Sequence, residues 1–174
     1  MFSDPLKNLR AFGLREDSIV ADLGAGTGYY TIAASPMVRM GRVYAVDIEK
    51  DFLTTIKNKV KDGDINNVEI LWGNVEKHGG TQIGDSLVDA VIASNILFQV
   101  EDKHKFIEEI KRILKPKGRV LLVDWLLGSG ENFPKIKGSL SKDVAHELFT
   151  NKGFVLDRHI DTGPHHYGMI LIKN

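Results

Sequence analysis

Seven short apolar runs alternate with segments of helical periodicity, and that alternation leaves few folds open. The runs are SIVADL (18–23), RVYAVD (42–47), VEILWG (68–73), VDAVIAS (88–94), RVLLVDW (119–125), FVLDRHI (154–160) and YGMILIKN (167–174). The middle runs are apolar on both alternations, as strands are when helices cover both faces of their sheet. Between them, KDFLTTIKNKVK (50–61) places Phe52, Leu53, Ile56 and Val60 on one helical face. DKHKFIEEIKRILK (102–115) does the same with Phe106, Ile107, Ile110, Ile113 and Leu114. A further helix is predicted from Ser141 to Lys152, stopping at Gly153, and a short one from Pro5 to Phe12 behind an Asp4 cap. Strands alternating with helices predict an α/β fold: a Rossmann-like, doubly wound, mostly parallel sheet of seven strands with helices on both faces.

Three local signals refine this. Pro36 should break the helix that follows the first strand near Ser35. KPKG (115–118) should end the helix before it, with Gly118 suited to the turn. Only DTGPHH (161–166) separates the last two strands, too short for a helix, so the last strand should run antiparallel to its predecessor.

The feature most informative for function is VADLGAGTGYYT (20–31), where the first strand meets glycines at 24, 26 and 28. In open α/β sheets ligands bind beyond the carboxyl ends of the strands, so this turn lies at the ligand edge. Glycines there permit a tight bend and close approach of backbone to ligand. A dinucleotide fingerprint, GxGxxG, would need glycine where this chain has Tyr29, and no phosphate-loop lysine follows a suitably placed glycine. Asp22 stands two residues before the first glycine; its carboxylate would repel a pyrophosphate and favour a cationic ligand. Asp47, ending the second strand 19 residues after Gly28, suits the two hydroxyls of an adenosine ribose and also suits the start of a helix.

These residues carry a family resemblance. DLGAGTG is similar to the D/E-x-G-x-G-x-G motif of class I S-adenosylmethionine-dependent methyltransferases. The order of the later segments, VDAVIASNILFQVED, helix, LKPKGRVLLVDW and closing hairpin, resembles that family as well, across residues 15–174. The resemblance implies S-adenosyl-L-methionine as cofactor, held by Asp22, Gly24, Ala25, Gly26 and Gly28, by Asp47 and Ile48, by Gly73, Asn74 and Val75, and by Ser94 and Asn95. Asn74 stands where the family commonly carries an acid for the adenine amino group; an amide oxygen accepts that bond more weakly. Asn74 equally fits a turn.

Methyl transfer needs an acceptor held in line with the S–methyl bond, with a base where the acceptor is protonated. Asp124 ends the fifth strand, and His166 and Tyr167 open the last one, whose start faces the ligand edge if it is antiparallel. His166, Tyr167 and Asp124 are therefore the catalytic candidates, with Asp124 also suited to capping a turn. The HHYG run resembles small methyltransferases of the ubiquinone/menaquinone-biosynthesis group. The chain contains no cysteine, which excludes a thiol nucleophile, thiolate metal sites, and cytosine C5 or arsenite methylation through cysteine. Ser94-Asn95-Ile96-Leu97 replaces the [DNS]PP[YFW] signature of enzymes that methylate planar amides and base amino groups.

Lys plus Arg and Asp plus Glu number 23 each, so no broad basic footprint marks a nucleic-acid partner. Lys57, Lys59, Lys61, Lys111, Arg112, Lys115 and Lys117 are read as solvated helix faces. The N-terminal MFSDPLKNLR lacks a signal-peptide core, and no apolar run reaches the roughly 18–20 residues of a membrane span. The expectation is a single cytoplasmic domain over 1–174, with 1–15 and the 126–138 loop available to close the site. A small-molecule acceptor is expected, with protein side-chain methylation and idle S-adenosylmethionine binding as the alternatives.

Overall fold

A computed structural model describes residues 3–127 and 136–174. Most of the expected loop 126–138 therefore lies outside the described residues. The elements are α1 (Pro5–Phe12), β1 (Ile19–Leu23), α2 (Tyr29–Ala34), β2 (Arg42–Asp47), α3 (Lys50–Asp62), β3 (Val68–Trp72), β4 (Val88–Ser94), α4 (Lys103–Ile113), β5 (Leu114–Trp125), α5 (Lys142–Thr150), β6 (Phe154–Ile160) and β7 (His166–Lys173).

The strands form one sheet in the order β3-β2-β1-β4-β5-β7-β6. The first five pair in parallel, and β7 pairs antiparallel with both β5 and β6. The turn of direction follows from the short link before β7, which leaves no room for a crossover helix. β7 slots between β5 and β6, so its first residues meet the last residues of β5: Asp124 pairs with Tyr167 and Trp125 with His166.

Strand residues alternate between two cores. On one face Val20, Val43, Ile92, Leu121, Val123 and Ile170 pack under Leu9 and Phe12 of α1 and Tyr30 and Ala34 of α2. Ala45 on the same face meets Leu53 and Ile56 of α3. On the other face Ala21, Leu23, Val91, Leu122, Met169 and Leu171 pack under Phe106, Ile107 and Ile110 of α4 and Phe149 of α5. Asp4 caps α1 by accepting the Leu6 and Lys7 amides, and α2 gives way at Ser35 to a 3-10 turn ahead of the Pro36 restriction.

One expectation changes. After α4 the left-handed residue is Lys117 (φ 63°), not Gly118. Gly118 is required for space instead: an added Cβ would lie 2.7 Å from a Leu114 side-chain carbon and 2.9 Å from the Lys115 carbonyl oxygen. The connection from β3 to β4, residues 73–87, carries no helix or strand. A parallel crossover of that kind usually contains a helix. Its order comes from side chains described below.

Candidate functional site

The glycine turn leaves β1 at the carboxyl edge of the sheet. Gly24, Gly26 and Gly28 all have positive φ (69°, 53° and 85°), which only glycine adopts without strain. A Cβ on Gly24 would lie 2.3 Å from the Ile96 side chain and one on Gly28 2.9 Å from Ile56. One on Gly26 would meet nothing within 4 Å, because Gly26 faces open space.

That space is a cleft of about 260 Å³. Gly24, Gly26, Asp47, Ile48, Gly73, Asn74 and Val75 line it, all of them among the cofactor residues that the family resemblance implies. Glu49, Phe52, Glu76, Ile96, Gln99 and Val100 complete it. These six were missed. Phe52 reads as one more apolar residue of the α3 face, and the residues after β4 lack any motif of their own. The structure places Phe52 at the rim, 41% exposed, while Leu53 and Ile56 turn to the core.

The turn spends its amides on itself. The Gly24 and Ala25 N–H groups donate to the Val46 carbonyl (2.9 and 3.0 Å), and Gly28 N–H donates to Ala25 (2.9 Å). Gly26 N–H donates to Asp47 Oδ2 (2.8 Å), and Glu49 N–H to Asp47 Oδ1 (2.9 Å). Asp47 thus ties β2 to the turn while still lining the cleft, and each of its oxygens keeps a further lone pair for a ligand hydroxyl. A pyrophosphate site needs free amides aimed at the anion. Here four amides of the turn are committed and two carboxylates stand beside it.

Asp22 lies behind the turn rather than in the cleft. It is buried, and its Oδ2 accepts the Thr31 hydroxyl of α2 (2.6 Å). Burial, with Asp47 adding to it, pushes its carboxyl up to about 6 against the pull of Thr31. Ala25 and Gly28 are also behind the lining, Ala25 in the α3 core and Gly28 starting α2. Asn74 uses Oδ1 to accept the Glu76 amide (2.9 Å), so it shapes the turn after β3 as well as lining the cleft.

Ser94 and Asn95 do not line the cleft. Ser94 reaches the Tyr30 hydroxyl on the α2 side. There Asn8 of α1 donates to the Tyr30 hydroxyl (2.7 Å) and to Ser3 (2.6 Å). Asn95 takes a left-handed conformation (φ 54°), and its buried Oδ1 has no hydrogen-bond partner among the described residues.

The three catalytic candidates separate. Successive strand residues point to opposite faces. His166 therefore joins the α1 and α2 side, where its ring stacks on Trp125 at 4.1 Å between centroids. It is buried, its Nε2 has no hydrogen-bond partner among the described residues, and burial lowers its pKa. Tyr167 enters the opposite core with its hydroxyl buried and unpaired among the described residues; burial and the charge of Asp124 raise its pKa. Asp124, on that side too, accepts the Phe98 amide (3.3 Å) and the Trp125 amide (2.7 Å). Burial pushes Asp124 up to about 6. Strand alternation thus divides the three candidates: Tyr167 and Asp124 share one face, where Asp124 braces the turn after β4, and His166 lies on the other.

A family profile described as "Methyltransferase domain" matches residues 21–122. Among curated proteins, the ubiquinone/menaquinone biosynthesis C-methyltransferase UbiE of Klebsiella pneumoniae is 34% identical over 115 residues, 65% of this chain and 45% of that protein. The UbiE protein of Vibrio cholerae is 33% identical over 65% of this chain and 43% of its own length. The matched stretch thus spans less than half of these relatives. Among solved structures, a SAM-dependent methyltransferase from Aquifex aeolicus superimposes with a TM-score of 0.89 at 28% identity, over 98% of this chain and 90% of that one. The [4+2]-cyclase SpnF superimposes with a TM-score of 0.84 at 15% identity, over 98% of this chain and 80% of its own, a likeness of fold alone.

Proposed function

We propose that this chain, which belongs to the methyltransferase-domain family, transfers a methyl group from S-adenosylmethionine to a small-molecule acceptor. The observation that carries the cofactor choice is the glycine turn: its amides at 24, 25, 26 and 28 are bonded within the protein, and Asp22 and Asp47 flank it. Such a turn repels a pyrophosphate and suits a ligand bearing a sulfonium and an ammonium. Asp47 would take the ribose hydroxyls, Ile48 and Phe52 the faces of the base, and the 73–75 turn its edge. When bound, the cofactor supplies an electrophilic methyl group, and what this chain adds is orientation and a place for the proton.

His166 supplies that place. Its lowered pKa keeps the imidazole neutral at pH 7, and Nε2 is the atom left to accept the acceptor's proton. With S-adenosylmethionine bound as the methyl donor, His166 Nε2 would take the proton that the acceptor gives up. Two things support a small acceptor: the burial of His166 against Trp125, and the biosynthetic names of the curated relatives.

The test is a screen with labelled-methyl S-adenosylmethionine against lysate split into small-molecule, protein and RNA fractions. Label should appear in the small-molecule fraction. Label in protein would shift the acceptor class, and binding of NADH as tight as that of S-adenosylmethionine would overturn the cofactor choice. Binding without transfer to any fraction would leave an idle cofactor-binding domain.

A further inference from the structure

One buried charge cluster lies outside both the cleft and the acceptor side. Glu109 is fully buried on the core face of α4, among Phe106, Ile107, Ile110 and Ile113. Its Oε2 accepts the Gly79 amide (3.0 Å), and its Oε1 accepts the Thr81 amide (3.2 Å) and hydroxyl (2.6 Å). Arg112, one turn later, grips the same carboxylate from Nε (2.8 Å) and Nη2 (2.7 Å). It also donates to the Ile83 carbonyl (2.8 Å) and pairs with Asp85 (2.5 Å). Burial alone would push Glu109 up; the hydrogen bonds from Arg112 and Thr81 outweigh it and hold the carboxyl at about 2.

A buried ion pair is a poor route to stability compared with apolar packing, so its position calls for another explanation. The bonds from Glu109 fall on either side of Gly80. The Gly80 carbonyl accepts the Asn74 amide (3.0 Å). A Cβ on Gly80 would lie 2.2 Å from the Asn74 carbonyl oxygen, and one on Gly73 would lie 2.5 Å from the Gly80 carbonyl oxygen. The two backbone segments are therefore in direct contact, with Gly80 wedged behind the cleft-lining turn. Glu76 ties the same turn to α4, accepting the Asp102 amide (2.6 Å). The opposite wall of the cleft, Ile96 to Val100, runs straight into α4. One helix thus anchors both walls.

We propose that Glu109 and Arg112 are positioning residues for cofactor binding, acting through Gly79–Thr81 to hold the Gly73–Val75 wall against the base of the cofactor. They touch no ligand, and the pair does for this helix-free crossover what a helix does in others. The proposal rests on the reading that this cleft takes an adenosine cofactor.

The experiment measures S-adenosylhomocysteine affinity by calorimetry, well below each protein's melting temperature, and steady-state kinetics once an acceptor is known. Glu109→Gln keeps the volume but turns a donor toward the Gly79 or Thr81 amide. It should raise Kd about tenfold and raise the KM for S-adenosylmethionine while kcat at saturation stays within about twofold. In an Asn74→Ala background the same change should cost less than about threefold, because the wall it acts through is already altered. Thr81→Val, a gentler lesion that keeps the ion pair, should raise Kd two- to threefold and stands in if Glu109→Gln fails to fold. Unchanged Kd with only a lowered Tm would overturn the proposal, as would full additivity with Asn74→Ala. A wild-type protein that does not bind S-adenosylhomocysteine would instead overturn the cofactor reading itself.

Discussion

The two halves of the sheet's carboxyl edge are built differently. At β1–β3 the polar groups of the turn are paired: Asp47 takes two amides, the Gly24 and Gly26 amides bond to β2, the Gly28 amide bonds to the Ala25 carbonyl, and Glu109 accepts the Gly79 amide behind them. After β4 and at the start of β7 two buried polar atoms lack hydrogen-bond partners among the described residues: Asn95 Oδ1 and, on the α1 and α2 side, His166 Nε2. A buried polar atom without a partner costs about 1–3 kcal/mol, so such atoms concentrate where a ligand or water supplies the bond. Under the proposed function, the contrast separates a cofactor cleft shaped in advance from an acceptor side completed by what it binds.

The sharpest way to break that contrast is His166→Ala. If His166 serves the acceptor alone, turnover should fall on the order of a hundredfold, while S-adenosylhomocysteine affinity stays within about twofold. Its sequence neighbour is the control: Tyr167→Phe, on the opposite face, should leave turnover unchanged and the melting temperature unchanged or higher. Equal losses in the two variants would return Tyr167 to the site.

Asp47→Ala tests the other half. It strips the Gly26 and Glu49 amides of their acceptor and removes the proposed ribose contact, so Kd for S-adenosylhomocysteine should rise about tenfold or more. With saturating cofactor, kcat should change far less. Unchanged affinity in calorimetry would remove Asp47 from the ribose site.

The smallest effect is on stability. Asp22 and Asp124 have folded-state values near 6, above the ordinary 3.8. The folded state therefore binds more protons between pH 4 and 6, and the stability those carboxyls contribute is present below about pH 4 and lost as pH rises through 6. Each accounts for on the order of 2–3 kcal/mol at most. Asp22→Asn keeps an acceptor for Thr31 and should raise Tm at pH 7.5, with the gain shrinking at pH 4.5. The same variant should weaken cofactor binding at pH 7.5, because the cationic ligand loses a nearby negative charge. A Tm gain equal at both pH values would deny the buried carboxylate its cost.

Much of the fold was legible because hydrophobic period reports burial directly. The strand runs, the α4 face from Phe106 to Ile113, the break at Ser35 and the antiparallel last strand follow from local spacing and link length. The lining of the cleft was half legible. Glycines and the acid after β2 leave a spacing signal, whereas Ile96, Gln99 and Val100 reach the cleft only because β4 lies next to β1. Glu109 was invisible for the opposite reason. It interrupts an apolar helical face, and nothing nearby in the chain announces that Gly79 and Thr81 will meet it.

The sequence by itself determined the fold class, the place of the ligand edge and the preference for a cationic cofactor, because periodicity, link length and charge are local properties. Only the tertiary structure decided which candidates stand together. It sent His166 and Tyr167 to opposite faces and turned Asp124 to backbone amides. It also put Asp22 behind the turn, where Thr31 rather than the cleft holds it. Those assignments depend on which strands are neighbours and in what register. Contacts between residues dozens of positions apart fix that register, and no window of the chain contains it.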